Sequence, residues 1–131
     1  MEEKFFYCDT CGNLAVMLLY SGVTPQCCGG DMNELVAQST DAGREKHVPV
    51  IKSLTENEIT ISVGCYPHPM TANHYIQFVC LQTTNGVIMR RLSPNDSTDI
   101  TLMFTGKPLA IYVYCNVHGL WCLGIKENCK I

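Results

Sequence analysis

Ile59-Thr60-Ile61-Ser62-Val63 alternates apolar and polar side chains at every step, which is the pattern of a β-strand with one buried face. Apolar runs of similar length follow it, with no convincing helical period between them. The clearest are Tyr75–Leu81, Val87–Met89 after the turn signal Asn85-Gly86, Ile100–Phe104 and Leu109–Tyr114. Short strands at this spacing predict a small antiparallel β-sandwich, so the expected fold class is all-β.

The size and charge of the chain restrict what it can be. Its 131 residues suffice for one ordinary domain, or for one domain with a small metal-stabilised unit attached. The net charge of -3 and the lack of a Lys/Arg cluster argue against a nucleic-acid partner. No long apolar run follows the first residues, so neither a secretory signal nor a membrane span is predicted. We therefore expect a cytoplasmic protein, in which nine cysteines indicate metal binding rather than disulfides.

The N-terminal segment has a different pattern, built around cysteines. Cys8 and Cys11 form a Cys-x-x-Cys motif, and the adjacent pair Cys27-Cys28 follows. So short a segment buries too little apolar surface to fold alone, and a bound metal would supply the missing free energy. Leu14–Tyr20 predicts a short strand or hairpin arm, and the polar stretch 36–44 predicts a linker. We predict a metal-binding domain over residues 1–38 and a β-sandwich domain over residues 39–131.

Four thiolates around one metal are compatible with iron or zinc, and the cysteine spacing does not separate the two. A Cys-x-x-Cys loop lets two backbone amides point at the sulfurs. Adjacent cysteines have little freedom to reach two corners of a regular tetrahedron, so we expect a distorted site. A disulfide between Cys27 and Cys28 explains less, because it would leave Cys8 and Cys11 without partners.

All four histidines of the chain lie in predicted loops or at strand starts, and one shares a turn with a cysteine. The histidines are His47, His68, His74 and His118, and the cysteine is Cys115. Any one of these imidazoles alone is explained by a surface position or a hydrogen bond. Together the five residues predict one metal site. Four neutral imidazoles and one thiolate suit a redox iron with an open sixth position better than a structural zinc, which stops at four ligands.

Two other functions remain open on these residues. A copper electron carrier would use two imidazoles and one thiolate, from His47, His118 and Cys115. No methionine follows His118 to act as the axial ligand, and His68 and His74 would have no role. A zinc-stabilised binding module without catalysis would account for the cysteines and leave the five-residue set idle.

Glu45 and Lys46 directly precede His47. Their loop either lies over the open metal position, where Lys46 would attract a small anion, or is simply solvated. Four cysteines receive no ligand role: Cys65, Cys80, Cys122 and Cys129.

Four motifs together resemble one family. They are Glu45-Lys46-His47-Val48-Pro49, Pro67-His68-Pro69-Met70, His74-Tyr75-Ile76 and Tyr114-Cys115-Asn116-Val117-His118-Gly119-Leu120-Trp121. On these residues the chain resembles a desulfoferrodoxin, the two-iron form of superoxide reductase, over nearly its whole length.

The resemblance implies a desulforedoxin-like domain followed by an immunoglobulin-like β-sandwich, each with one iron. The first iron, which zinc could replace, would be bound by Cys8, Cys11, Cys27 and Cys28. The second, catalytic iron would be bound by His47, His68, His74, His118 and an axial Cys115.

The resemblance also implies a reaction and partners. Superoxide would be reduced by one electron to hydrogen peroxide at ferrous iron, without release of dioxygen, and a rubredoxin-like donor would re-reduce the metal. Glu45 would ligate the ferric resting state, and Lys46 would guide superoxide to the site. The protein would be a homodimer. The charge and the lack of a long apolar run separately predict no nucleic-acid or membrane partner.

Overall fold

The structure is a computed structural model that describes residues 3–40, 47–64 and 68–125. All regular elements of these residues are β-strands, so the predicted all-β class is confirmed. The chain divides into two compact units, Met1–Val36 and Ala37–Ile131. None of the described residues belongs to a helix long and apolar enough to span a membrane.

The described residues of the first unit form five short strands. They are β1 (Lys4–Tyr7), β2 (Leu14–Met17), β3 (Gln26–Cys27), β4 (Gly30–Asp31) and β5 (Asn33–Glu34). β1 lies between β2 and β5 in an antiparallel sheet, and β3 pairs with β4 in a hairpin. Phe6, Cys8 and Met32 form a small buried cluster. This cluster is too small to stabilise the unit by apolar burial alone.

In the second unit, the part of the chain that the structure describes forms seven strands. They are β6 (Pro49–Leu54), β7 (Glu58–Val63), β8 (Ile76–Thr83), β9 (Gly86–Arg91), β10 (Asp99–Met103), β11 (Pro108–Cys115) and β12 (Gly119–Gly124). Three form a sheet in the order β10-β7-β6, and four form a sheet in the order β12-β11-β8-β9. All neighbours are antiparallel. Seven antiparallel strands in two sheets agree with the predicted immunoglobulin-like sandwich.

The core of the second unit consists of the side chains that alternate inward along both sheets. Ile59, Ile61 and Val63 of β7 are completely buried and pack in the same cluster as Val79 and Leu81 of β8. The polar residues between them point the other way, as the alternation in residues 59–63 predicts. This core fixes the two sheets and therefore the positions at which their connecting loops leave the sandwich.

Strand direction brings several loops to one end of the four-stranded sheet. β8 and β12 both run antiparallel to β11, so the start of β8, the end of β11 and the start of β12 share that end. The turn before β8 contains His74, β11 ends at Cys115, and the turn before β12 contains His118. Residues far apart in the sequence thus meet at one edge of the sheet.

Candidate metal centres

The four N-terminal cysteines form one cluster. The sulfurs of Cys8, Cys11, Cys27 and Cys28 all lie within 4.8 Å of one another. Cys11 Sγ lies 3.5 Å from Cys27 Sγ, and Cys27 Sγ lies 3.9 Å from Cys28 Sγ. Around one ion with metal–sulfur bonds of about 2.3 Å, tetrahedral sulfurs lie roughly 3.8 Å apart. The spacing therefore fits a single tetrathiolate metal.

The adjacent cysteines reach the cluster through an unusual backbone conformation. Cys28 has a φ of 53°, and the following Gly29 has a φ of 80°. The left-handed region is costly for a residue with a Cβ, so Cys28 is held there by its surroundings. This local strain agrees with the distortion expected for neighbouring ligands.

Hydrogen bonds shift the pKa values of Cys8 and Cys28 in opposite directions. The pKa of Cys8 is lowered to about 6, chiefly because the backbone N–H of Cys11 donates to its sulfur; burial opposes this shift. The pKa of Cys28 is raised to about 12, chiefly by its hydrogen bonds with the Cys11 and Cys8 side chains. A thiol must lose its proton to bind a metal, and the raised pKa makes this loss harder for Cys28. Metal affinity should rise with pH for this reason.

The four histidines of the second unit form a closed ring of imidazoles. Ring centroids lie 4.6 Å apart for His47 and His68, 5.0 Å for His68 and His74, 5.1 Å for His74 and His118, and 5.0 Å for His118 and His47. Each imidazole thus has two others as neighbours. His47 and His68 are buried, His74 is half-buried, and His118 is exposed. The ring is open to solvent on the His118 side.

The thiol of Cys115 adjoins this ring of imidazoles. Donor atoms of His47, His74, Cys115 and His118 all lie within 4.8 Å of one another. Opposite nitrogen ligands with bonds of about 2.1 Å lie roughly 4.2 Å apart, so this spacing suits one ion. His68 does not belong to that set of four. Its imidazole nevertheless contacts the imidazoles of His47 and His74, so it lies beside the set. A copper site of two imidazoles and one thiolate would use only two of these four imidazoles.

Neighbouring groups orient the candidate ligands. His68 Nδ1 lies 2.7 Å from the Pro69 carbonyl oxygen, so its proton is held there and Nε2 is left for a metal. His47 stacks on the buried Trp121 indole, with centroids 4.5 Å apart and planes 11° apart. The backbone N–H of His118 donates to Cys115 Sγ at 3.4 Å. The first two contacts restrict the planes of the His68 and His47 rings. The third places a hydrogen-bond donor against the Cys115 sulfur, where it offsets negative charge.

Two polar residues that the sequence does not single out hold the turn from Cys115 to His118. Gln38, predicted to lie in a linker, instead pairs through its backbone with Leu120 and Cys122. Its Nε2 donates to the His118 carbonyl oxygen at 3.0 Å. Asn116 hydrogen-bonds to the residues on both sides of His74. Only the folded topology brings these polar groups together.

Glu45 and Lys46, the two predicted catalytic residues, lie outside the residues that the structure describes. The same holds for Cys65 and Cys129. Cys80 is completely buried in β8, and Cys122 is half-buried in β12.

A family model described as Desulfoferrodoxin matches residues 39–123. The chain belongs to the desulfoferrodoxin family. A desulfoferrodoxin from Syntrophotalea carbinolica is 38% identical over 123 residues, which cover 92% of this chain and 97% of that protein. The match includes the N-terminal unit as well as the sandwich. The resemblance seen in the motifs is confirmed.

Two further comparisons concern proteins named superoxide reductase. The crystal structure of the superoxide reductase from Treponema pallidum superposes with a TM-score of 0.78 and 29% sequence identity, covering 93% of this chain and 98% of that one. A superoxide reductase from Thermococcus kodakarensis is 32% identical over 102 residues, covering 64% of this chain and 89% of that protein. The chain has one group of four cysteines and one group of histidines with a cysteine, and it belongs to the desulfoferrodoxin family. The predicted pair of iron centres is confirmed.

Asn13 provides a test of how the polypeptide tunes the tetrathiolate iron. Its Nδ2 donates to Cys27 Sγ at 3.7 Å. An N–H donor stabilises the ferrous state, in which the sulfurs carry more negative charge. We expect Asn13→Leu to lower the reduction potential of this centre by an amount on the order of tens of millivolts, measured by spectroelectrochemical titration.

The control for Asn13 is Gln26→Leu. Gln26 adjoins Cys27, and its amide donates to the Asp31 carboxylate rather than to a sulfur. An equal shift in both variants would mean that local structure, and not the N–H to sulfur bond, sets the potential.

Proposed function

We propose that this superoxide reductase acts at the histidine–cysteine site, where His47, His68, His74 and His118 with Cys115 hold the catalytic iron. The observation that carries the proposal is the closed ring of four imidazoles with the Cys115 sulfur beside it. Iron bound there would supply the single electron that, with two protons, converts superoxide to hydrogen peroxide without release of dioxygen. Relatives and solved structures named superoxide reductase support the enzyme class.

The donor set suits this chemistry. Four neutral imidazoles and one thiolate give the filled site a single negative charge from its ligands. Five protein ligands would exceed the four of a structural zinc site, and the bound metal would still have room for a small molecule. His118 is exposed, so superoxide would approach the metal from the side of that residue.

The chain's own residues would do the remaining work. The buried Cys115 sulfur, stabilised by the His118 N–H, would remain a thiolate. Pro69 and Trp121 would hold the His68 and His47 rings in fixed planes. From the family resemblance we assign Lys46 to the attraction of superoxide and Glu45 to ligation of the ferric resting state.

The two units would have separate tasks. We assign residues 1–38 to a tetrathiolate iron domain on Cys8, Cys11, Cys27 and Cys28, and residues 39–131 to catalysis. Support comes from the family model, which matches residues 39–123 and so excludes the four cysteines. We also propose a rubredoxin-like electron donor, a homodimer and a cytoplasmic location, all on the family resemblance.

One experiment tests the reaction directly. One anaerobically purified sample is titrated with oxidant while its visible spectrum is recorded, and a second sample, kept reduced, receives superoxide generated by pulse radiolysis. We expect two thiolate-to-ferric bands at separate potentials, fast oxidation of the second centre by superoxide, and hydrogen peroxide without dioxygen. Dioxygen equal to the peroxide formed would indicate dismutation instead, and a colourless protein would indicate zinc.

Replacing Lys46 tests its steering role. Lys46→Ala removes one positive charge, so we expect the bimolecular rate with superoxide to fall roughly 3- to 10-fold at low salt and to depend less on ionic strength. Lys107→Ala is the matched control, because Lys107 precedes β11 at the end opposite Cys115. Stopped-flow or pulse-radiolysis rates at several salt concentrations measure both effects. Equal rates and salt slopes in the two variants would remove Lys46 from the mechanism.

A further inference from the structure

Asn116 lies in the turn between Cys115 and His118, and its side chain is exposed. Core packing therefore does not account for it. Among the described residues, its hydrogen bonds lead to the loop that contains His74. The backbone N–H of Asn116 donates to the Tyr75 carbonyl oxygen at 3.2 Å, Oδ1 accepts from the Tyr75 N–H at 2.9 Å, and Nδ2 donates to the Asn73 carbonyl oxygen at 3.0 Å.

The two hydrogen bonds of the Asn116 side chain flank His74 in the chain. Asn73 and Tyr75 are its immediate neighbours in the chain, so one amide binds the backbone on both sides of the candidate ligand. The regular pairing of β8 with β11 ends at Ile76 and Cys115, after a register shift. Beyond that point the Asn116 side chain supplies the donor and acceptor that a further strand residue would have supplied.

The described backbone hydrogen bonds within the His74 loop itself are local. His74 and Thr71 exchange backbone hydrogen bonds of 2.9 and 3.2 Å, and the Thr71 hydroxyl donates to the His74 carbonyl oxygen. These bonds close the turn on itself and do not tie it to β11. The hydrogen bonds of Asn116, the residue after β11, connect the turn to that strand.

We propose that Asn116 is a positioning residue that fixes His74 against Cys115 and His118, so that ligands from two separate turns keep one spacing. The proposal rests on the proposed function, since it concerns the same metal site. Side chains that orient metal ligands from outside typically change metal affinity or activity by about 10- to 100-fold when removed. Without the Asn116 amide, His74 should leave the ion more often.

The test uses iron-loaded, full-length protein and the variant Asn116→Ala. We expect ferrous iron of the second centre to be captured by the chelator ferrozine about 10-fold faster than in the unaltered protein. The thiolate-to-ferric band of that centre should shift, the tetrathiolate band should not, and the Tyr75 amide should exchange hydrogen faster. Asn85→Ala is the control, because Asn85 is also exposed, donates to Thr105 at 3.1 Å, and follows the opposite end of β8.

A second variant covers the case in which Asn116→Ala does not fold. Asn116→Asp keeps the size and the acceptor but places a carboxylate oxygen against the Asn73 carbonyl oxygen, so we expect faster iron release here too. Release at the unaltered rate in any folded Asn116 variant, or equal acceleration in Asn85→Ala, overturns the proposal. Failure of the proposed function is visible separately, as an unaltered protein that loads no second iron or does not react with superoxide.

Discussion

Replacing Cys115 with serine is expected to eliminate the thiolate-to-ferric band of the second centre and to slow superoxide reduction by at least about 100-fold. Cys115 is completely buried at the end of β11, beside the ring of imidazoles. A thiol loses its proton readily near a metal, whereas a serine hydroxyl has a far higher pKa and is a poor donor to iron. The site would then hold only neutral ligands. Metal analysis, visible spectra and pulse radiolysis measure the loss.

Cys80→Ser is the matched control for Cys115. Cys80 is also completely buried and lies in β8, the strand next to β11, outside the candidate ligands. It therefore tests the cost of placing a hydroxyl inside the same sheet. If both variants lost activity together, the effect would be one of folding. If Cys115→Ser kept the band, the second centre would have another sulfur ligand.

Removing the first metal should unfold the first unit and leave catalysis intact. The buried cluster of Phe6, Cys8 and Met32 is small, and structural metals of this kind contribute about 10 to 16 kcal/mol in small domains. Cys11 is exposed, so Cys11→Ser removes a ligand without opening a cavity. We expect iron content to fall from about two to about one per chain, and hydrogen exchange of β1 and β2 to reach that of an unfolded chain. The rate with superoxide should remain within about twofold of the original.

Thr10→Ala, in the same loop, is the control for Cys11 and should retain both irons. Slow exchange of β1 in iron-depleted Cys11→Ser would show that apolar packing alone holds the first unit. A large fall in the superoxide rate would show that the two units depend on each other.

The strands were predictable wherever the alternation of side chains is clean. Residues 59–63 and 75–81 lie in β7 and β8, within a few residues of the predicted ends. β6 and β12 of the second unit are not predicted from the sequence, nor are β1, β3, β4 and β5 of the first. β6 contains a register shift after Ile51, and β12 begins at a glycine with a φ of 90°. The sequence predicts a short strand or hairpin arm over Leu14–Tyr20, but β2 ends at Met17 and the next two leucines are exposed.

The sequence predicts which residues form the candidate site, but it does not predict how those residues are arranged in space. Histidine and cysteine are metal ligands in any context, so the set could be collected by type and by position near strand starts. The ring order of the imidazoles depends on which strands pair. The same is true of Asn116, a common turn residue whose role depends on a loop about forty positions earlier in the chain. Local pattern contains no information about such contacts.

The ring of imidazoles joins the two sheets of the sandwich. His47 precedes β6 of the three-stranded sheet, whereas His74, Cys115 and His118 adjoin strands of the four-stranded sheet. Immunoglobulin domains of antibodies connect their sheets with a buried disulfide. Here a single metal ion would link the two sheets. Binding of the metal would form this cross-link and loss of the metal would break it, whereas a disulfide forms by oxidation. Loading the catalytic metal would then also raise the resistance of the sandwich to unfolding, by mass action.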